Sequence, residues 1–281
     1  MRTTIENDCL RLEVDSLGAE MVSLVKKQNG REYVWDGNPQ WWKRHAPILF
    51  PCVGASWNQT IRMEGREYPM SQHGFARDME FCLTQQTSEL LEYTLRDSEE
   101  SRKRYPASFE LKVIIGLKGN CVTFRYDVVC DKPYQIGAHP AFVMPRWDEG
   151  LDQLGTFGLE EGCYTLSHVG EKGCIGRNLE QMCCQDIPVT PHTFDGDALI
   201  FETPAPRAIC LRDAEGVALL EVSHDAPSLG LWAPAKGSYA PFVCIEPWWG
   251  RADWEGFEGE FGQKAYCNQK SDRFEWSVTI F

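Results

Sequence analysis

Apolar and polar residues alternate with a period near two along many short stretches of the chain. Because successive side chains of a strand point to opposite faces, this alternation predicts half-buried β-strands. Gly, Asp, Asn or Pro residues bound many of these stretches, as is typical of strands. The predicted strands are Cys9–Val14, Leu91–Arg96, Phe109–Leu117, Cys121–Val129, Ala198–Phe201, Ala208–Arg212, Val217–Val222 and Glu275–Phe281.

The same pattern predicts few and short helices. No segment places apolar residues at i, i+3, i+4 and i+7 over a dozen positions. A regular run of short strands is typical of an all-β fold, and we predict a large antiparallel β-sandwich. Neither a linker nor a repeat divides the chain, so we expect one domain over residues 1–281. The glycine-rich stretch near 145–195 is interpreted as a long loop excursion within that domain.

Composition narrows the class of protein. The 281 residues contain 28 Lys and Arg against 41 Asp and Glu, a net charge of −13. A nucleic-acid binder needs a basic surface, so neither nucleic acid nor an anionic membrane is an expected partner. No apolar run predicts a membrane-spanning helix, and the first residues lack the features of a secretory signal, so we expect a cytoplasmic protein. In a reducing compartment the twelve cysteines are expected to be free, and their spacing indicates no metal site.

Three clusters place one titratable side chain beside glycine or proline at the end of a predicted strand. His73 precedes a glycine, His139 precedes a proline, and Glu246 ends an apolar run before a proline. Such positions hold a side chain stiffly at the edge of a β scaffold, where binding sites usually lie. Each residue also has an ordinary interpretation as a structural hydrogen-bonding residue or a surface turn. Trp248 and Trp249 follow Glu246; aromatic faces beside a carboxylate bind sugars, although most tryptophans belong to a core.

Further elements join these clusters along most of the chain. In chain order they are Gly18–Glu20, Glu32–Trp35, Ala46–Pro51, His73–Arg77, Gly137–Phe142, Asp197–Leu199 and Phe242–Trp248. Together, in this order, they resemble the aldose 1-epimerase (galactose mutarotase-like) superfamily, and within it the LacX-like branch. Several motifs in register indicate homology more strongly than they indicate a retained activity.

The resemblance implies the galactose mutarotase-like supersandwich, a large antiparallel β-sandwich with a sugar site in a cleft. It also implies mutarotation without a cofactor or metal: one group removes the proton of the anomeric hydroxyl while another protonates the ring oxygen. By motif, Glu246 matches the family's general base and His139 its general acid. His73 matches the second active-site histidine, and Asp197 matches the acidic residue that binds sugar hydroxyls. Residue type alone places Asp197 only in a turn before a strand.

One element departs from the family pattern. The arginine of a Gly-Arg-Ile-type element aligns with Ala55. A guanidinium supplies rigid, permanently charged donors, and losing one such donor in the transition state lowers a rate by about 10²–10³-fold. Arg77, or else Arg62 or Asn58, is a candidate to reach the same place. Arg77 also has an alternative interpretation as a structural ion pair with Asp78.

Three functional hypotheses follow from these residues. The leading one is an isomerase that interconverts the anomers of a free aldose, a small-molecule sugar. The second is a non-catalytic carbohydrate-binding or regulatory protein on the same scaffold, which the alanine at position 55 motivates. The third is a mutarotase of hexose 6-phosphates, which needs basic residues that converge on a phosphate. The arginines available for that role are Arg44, Arg62, Arg66, Arg77 and Arg251.

Overall fold

The computed structural model describes residues 1–234 and 237–281. Strands make up 52% of it and helices 6%, which confirms the all-β prediction with few, short helices. The strands are β1 (Arg2–Glu6), β2 (Leu10–Asp15), β3 (Glu20–Lys26), β4 (Arg31–Glu32), β5 (Ile48–Leu49), β6 (Thr60–Met63), β7 (Arg66–Pro69), β8 (Cys82–Gln86), β9 (Leu90–Arg96), β10 (Phe109–Lys118), β11 (Cys121–Cys130), β12 (Ile136–Ala138), β13 (Ala141–Val143), β14 (Gly155–Val169), β15 (Ile175–Val189), β16 (Leu199–Phe201), β17 (Ala208–Asp213), β18 (Ala218–His224), β19 (Ser228–Trp232), β20 (Phe242–Trp249) and β21 (Asp272–Ile280). The helical segments are α1 (Glu99–Arg102) and the 3₁₀ turns Trp57–Gln59, Ala76–Asp78, Glu171–Gly173 and Phe261–Gln263.

One large antiparallel sheet dominates the molecule. Its main path runs β5-β12-β20-β19-β16-β14-β17-β18-β21-β11-β10-β9-β8, with β13 also paired to β20 and β15 also paired to β14. A second sheet holds β1 to β4, and β6 and β7 form a separate hairpin. Strands from distant parts of the chain therefore become neighbours, and β20 lies next to β12, β13 and β19.

The β10–β11 hairpin shows how the sequence pattern becomes structure. Buried and less buried residues alternate along both strands, and their register pairs Phe109 with Cys130 and Lys118 with Cys121. Gly119 in the tight turn has a φ of 57°, a left-handed conformation that glycine adopts without steric penalty. Alternation with a turn residue in the right place confirms both predicted strands.

The stretch near 145–195 contradicts the loop prediction. It contains β14 and β15, two fifteen-residue strands that pair with each other. Most of β15 is exposed on both faces, so burial does not select apolar residues at alternate positions and its sequence shows no period of two. Close contacts explain some of the glycines: a Cβ on Gly155 would lie 2.2 Å from the carbonyl oxygen of Arg212, whereas a Cβ on Gly150 would meet nothing within 4 Å.

This hairpin also corrects the expectation for the cysteines. Cys163 and Cys183 stand opposite each other in the β14–β15 register, with Cα atoms 3.9 Å apart, and they form a disulfide. The expectation of free thiols rested on the compartment, whereas the strand register decides which two side chains meet. The other ten cysteines are free.

A shared hydrophobic core joins the two ends of the chain. The main buried cluster contains residues from Ile5 to Ile280. This cluster supports the expectation of one domain over residues 1–281, which stays a prediction. Within the described residues, no helix has the length and apolar character needed to span a membrane.

Candidate active site

A cavity of about 520 Å³ lies where β14, β16, β19 and β20 meet the segments that connect β4 to β5 and β7 to β8. Its volume is in the range of small-molecule sites. Six of the seven predicted site residues line it, namely His73, Arg77, His139, Asp197, Glu246 and Trp248. Residues that are far apart in the chain therefore meet in one place.

Alternation along β20 decides which of its residues face the cavity. Glu246 and Trp248 share a face and line the cavity, whereas Trp249 points to the other side. There its ring contacts Phe274, with centroids 5.4 Å apart, and its Nε1 donates to Asp225 Oδ1 at 3.0 Å. The structure thus places Trp249 in the core rather than in the cavity wall that the sequence analysis expected.

His139 and Glu246 form a close pair at the cavity. The Nε2 atom of His139 lies 3.1 Å from Oε2 of Glu246, and the exposed fraction of Glu246 is 1%. The His139 ring stacks on Trp42, with centroids 4.8 Å apart, and meets Trp232 edge to face. These rings fix the imidazole plane against the carboxyl group.

Burial perturbs both groups in opposite directions. It lowers the pKa of His139 to about 3, and the charge of Arg77 adds to that effect. Burial raises the pKa of Glu246 well above its usual value, and the neighbouring carboxylate of Asp197 adds to it. Burial therefore disfavours the charged form of both groups, whose nearest atoms lie 3.1 Å apart. Such a pair can give a proton at one atom and accept one at another.

Glu20 explains why the Gly18–Glu20 element belongs with the site. Its Oε1 accepts hydrogen bonds from the backbone N–H groups of His45 at 2.7 Å and Ala46 at 2.9 Å. Pro47 follows Ala46 directly, and its carbonyl oxygen accepts a hydrogen bond from the His139 N–H at 3.1 Å. Glu20 thus fixes the segment on which the backbone of His139 rests.

His73 is held in a strained but well-bonded backbone position. Its φ is 65°, and its Nδ1 accepts a hydrogen bond from the Gly54 N–H at 3.1 Å. The next residue, Gly74, leaves no space for a side chain, because a Cβ there would lie 2.1 Å from the carbonyl oxygen of Phe50. Burial, followed by the electrostatic interaction with the His139 ring, lowers the pKa of His73 well below its usual value. The ring is therefore neutral, with its proton on Nε2, and can donate to a ligand oxygen.

Asp197 lies in the turn that precedes β16. Its φ is 73°, and its Oδ1 accepts a hydrogen bond from the Ala198 N–H at 2.8 Å. This bond fixes one carboxylate oxygen and leaves the other for a ligand. Asp197 therefore lies in a turn, as its residue type predicts, and also lines the cavity, as the family resemblance implies.

Three cations line the cavity in addition to these groups. Lys43 and Arg44 come from the segment before β5, and Arg77 comes from a 3₁₀ turn. Arg77 donates through Nη2 to the Gln72 carbonyl at 2.7 Å, and burial lowers its pKa to about 10. Its Nε lies 4.0 Å from Oδ2 of Asp78, which supports the interpretation as a structural ion pair. Its place in the cavity lining supports the interpretation as a donor to the ligand.

The other two candidates to replace the family arginine lie elsewhere. Arg62 pairs with Glu67 on the β6–β7 hairpin at 2.9 Å, and Asn58 accepts a hydrogen bond from Lys172 at 2.7 Å. Neither residue lines the cavity. Arg66 and Arg251 do not line it either, so only Arg44 and Arg77 remain of the arginines considered for a phosphate.

Ala55 is enclosed by the turn between β14 and β15. It is 6% exposed, and its carbonyl accepts a hydrogen bond from the Asp253 N–H at 2.9 Å. A Cβ on Gly173 would lie 3.4 Å from the Ala55 Cβ, an ordinary van der Waals distance. Ala55 is therefore buried, with this turn beside it.

Sequence reasoning missed the aromatic and cationic part of the wall. Trp42, Lys43 and Trp232 line the cavity, and none was singled out. The run Trp41–Arg44 before His45 mixes aromatic and basic residues, which was a usable signal. Trp232 had none, because it reaches the site only through the pairing of β19 with β20.

Comparison with known proteins agrees with this geometry. The aldose 1-epimerase family model matches residues 1–264. The chain belongs to the aldose 1-epimerase family. It is 30% identical over 268 residues to the plasmid protein LacX of Lactococcus lactis subsp. lactis, covering 89% of this chain and 88% of LacX.

Solved structures of aldose 1-epimerase relatives share the fold. A galactose mutarotase related enzyme from Lactobacillus acidophilus superposes with a TM-score of 0.92 at 30% identity, covering 100% of this chain and 97% of that one. A galactose mutarotase-like protein from Lactobacillus casei ATCC 334 gives 0.90 at 28% identity and covers 100% of both chains. These matches confirm the family resemblance and the fold it implied.

Proposed function

We propose that the protein interconverts the α and β anomers of a free aldose by general acid–base catalysis. Glu246 accepts the proton of the anomeric hydroxyl, and His139 gives a proton to the ring oxygen. The ring opens to the aldehyde, the C1–C2 bond rotates, and the ring closes on the other face. The observation that carries this proposal is the 3.1 Å approach of His139 Nε2 to Glu246 Oε2 in a cavity of sugar-binding size.

The remaining cavity residues bind the sugar in this scheme. His73 donates from Nε2 to an oxygen near the ring, and Asp197 accepts from hydroxyl groups. Trp248 offers an indole face for the apolar face of the pyranose, and Arg77 supplies charged donors from a position other than 55. The cytoplasmic location and the lack of nucleic-acid and membrane partners stay predictions.

Polarimetry on freshly dissolved α-D-glucose and α-D-galactose tests the reaction directly. We expect Glu246→Gln to lower the catalysed rate by about 10²–10⁴-fold, since the amide cannot accept the proton. The matched control is Glu275→Gln on β21, an exposed residue that should leave the rate unchanged. Full activity in Glu246→Gln would reject the assignment of the base.

A second candidate function is supported by the three cations at the cavity. Lys43, Arg44 and Arg77 provide the basic groups that a hexose 6-phosphate needs. Preference for the phosphorylated sugar, with affinity that falls steeply as salt is raised, distinguishes this substrate from a free aldose.

The third candidate is a non-catalytic sugar-binding protein on the same scaffold, for which the alanine at position 55 remains the motive. Titration calorimetry that detects sugar binding, together with uncatalysed rates for both substrate types, would favour it. Normal turnover of any aldose would exclude it.

A further inference from the structure

A thiol lies beside the acid–base pair and takes no part in the proposed reaction. Cys244 stands two residues before Glu246 on β20, so the two side chains share a face. The Cys244 Sγ, a ring nitrogen of His139 and a carboxylate oxygen of Glu246 all lie within 4.8 Å of one another. All three residues are buried.

The strand register explains this juxtaposition. Cys244 pairs with Ala141 of β13 on one side and with Trp232 of β19 on the other. His139 comes two residues before Ala141, directly after β12. His139 is distant in the chain from Cys244 and Glu246, so no motif spacing indicates the cluster.

The three donors have the chemistry and spacing of a zinc site. Zinc binds thiolate at about 2.3 Å, imidazole at about 2.0–2.1 Å and carboxylate at about 2.0–2.2 Å, which places tetrahedral donors about 3.3–3.6 Å apart. The 3.1 Å between His139 Nε2 and Glu246 Oε2 already approaches that spacing. All three donor atoms lie within 4.8 Å of one another, so the widest separation must close by at most about 1.5 Å.

An unsatisfied acceptor gives a second reason for a cation here. Oε2 of Glu246 is fully buried, and although His139 Nε2 lies 3.1 Å away, that approach lacks the geometry of a hydrogen bond and leaves Oε2 without a hydrogen-bond partner among the described residues. Buried polar atoms without a partner are uncommon in native proteins, and each calls for an explanation such as an ion. Glu246 also lines the cavity, so an ion can reach it from solvent.

We propose that His139, Cys244 and Glu246 form a binding site for Zn²⁺ or a similar borderline divalent ion, with a fourth coordination position open to the sugar cavity. The ion forms bonds to Nε2, Sγ and a carboxylate oxygen, and the thiol proton, with the carboxyl proton where present, leaves to water. Bound metal occupies the lone pairs that the acid and base use. The ion therefore inhibits anomer interconversion; this consequence rests on the proposed function, whereas metal binding does not.

Cobalt provides a spectroscopic test of the thiol ligand. The experiment uses a Cys9→Ser/Cys82→Ser background, because those two thiols are exposed and could bind metal themselves. We expect Co²⁺ to produce a thiolate-to-metal charge-transfer absorption that Zn²⁺ abolishes. Cys244→Ala should lose this absorption, and Cys52→Ala, which removes another fully buried free thiol, should keep it. Absorption that persists in Cys244→Ala, or no absorption in the background protein, would overturn the site.

Zinc affinity tests the carboxylate ligand without depending on the cysteine variant. Calorimetry should show at least about tenfold weaker Zn²⁺ binding to Glu246→Gln, which keeps the thiol and the side-chain shape. Equal affinity in Glu246→Gln and the background protein would overturn the proposal.

Inhibition is then measured as the ratio of mutarotation rates with and without Zn²⁺ in each protein. Zinc that binds without lowering the rate would overturn the inhibitory role alone. A protein with no mutarotation at all would reject the proposed function, while the cobalt spectrum would still decide the metal site.

Discussion

Two groups of side chains share the cavity and differ in how they are held. The acid–base group, His73, His139 and Glu246, is buried, and its backbone lies on β20 or is hydrogen-bonded to neighbouring strands and turns. The cationic group, Lys43, Arg44 and Arg77, lies on connecting segments, and Lys43 is exposed. Proton transfer needs atoms placed to within fractions of an ångström, whereas a charged donor acts over a longer range.

The two groups also influence each other. The charges of Arg77 and Arg44 add to the effect of burial and lower the pKa values of His73 and His139. The cationic group therefore favours neutral imidazoles in the resting protein. An anionic group that contacts the arginines would offset this effect and raise the pKa values of both histidines.

Breaking the acid–base group should have the largest effect. His139→Gln should lower kcat by about 10²–10⁴-fold with a small change in KM, because glutamine cannot give up a proton to the ring oxygen. The matched control is His224→Asn, which removes a buried histidine outside the cavity and should leave kcat unchanged. Equal kcat values in these two variants would contradict the role of His139.

Breaking the cationic group should have an intermediate effect. If Arg77 serves in place of an arginine at position 55, Arg77→Ala should lower kcat/KM by about 10²-fold. Arg62→Ala is the control, because Arg62 pairs with the exposed Glu67 outside the cavity. Thermal unfolding of both variants separates catalysis from folding. Unchanged kcat/KM with lowered stability would leave Arg77 only a structural role through its Gln72 and Asp78 contacts.

The same contrast explains what the sequence could predict. His73, His139 and Glu246 stand next to glycine or proline, so local chain geometry marks them. Asp197 was found only through the family resemblance, because its turn looks ordinary. Lys43 lies in a run of aromatic and basic residues that was a usable signal, whereas Trp232 reaches the cavity through strand pairing alone and nothing local distinguishes it.

The fold class was predicted correctly, but the loop prediction near residues 145–195 failed for a related reason. β10 and β11 bury one face each, so their residues alternate and their bounds were close to correct. β15 is exposed along most of its length, so no burial imposes a period. Trp248 lies two residues after Glu246 on β20 and shares its face, whereas Trp249 lies three residues after it and faces the other way. Alternation counted from Glu246 would therefore have told the two tryptophans apart.

Restoring the family arginine at position 55 tests whether that position can still supply a guanidinium to the cavity, or whether the new side chain only lowers stability. Ala55→Arg should lower the free energy of unfolding by about 1–3 kcal/mol and should not raise kcat, because Ala55 is buried and the longer side chain must displace its neighbours. Ala214→Arg, at an exposed position, is the control in chemical denaturation. A higher kcat with unchanged stability would show that the new guanidinium reaches the cavity.

Replacing His224, which lies outside both groups, should have the smallest effect on catalysis and should change instead how stability depends on pH. Burial lowers the pKa of His224 to about 4, from an ordinary value of 6.5. The folded state therefore favours the neutral ring, so this contribution to stability is present above pH 6.5 and is lost as the pH falls toward 4.

In His224→Asn the amide oxygen can still accept the Ala226 N–H bond now made to Nδ1 at 3.1 Å. The free energy of unfolding should therefore depend less steeply on pH between about 6.5 and 4 than in the wild type. Denaturation curves across that range provide the measurement. Identical pH dependence in the two proteins would show that His224 is not held neutral by the fold.

The most direct test of the central claim measures exchange between anomers at equilibrium. Two-dimensional exchange NMR on equilibrated glucose and galactose detects transfer between the α and β anomeric protons. The account predicts exchange cross-peaks with the wild-type protein that disappear in both Glu246→Gln and His139→Gln. Cross-peaks that persist at wild-type intensity in either variant would contradict catalysis by this pair.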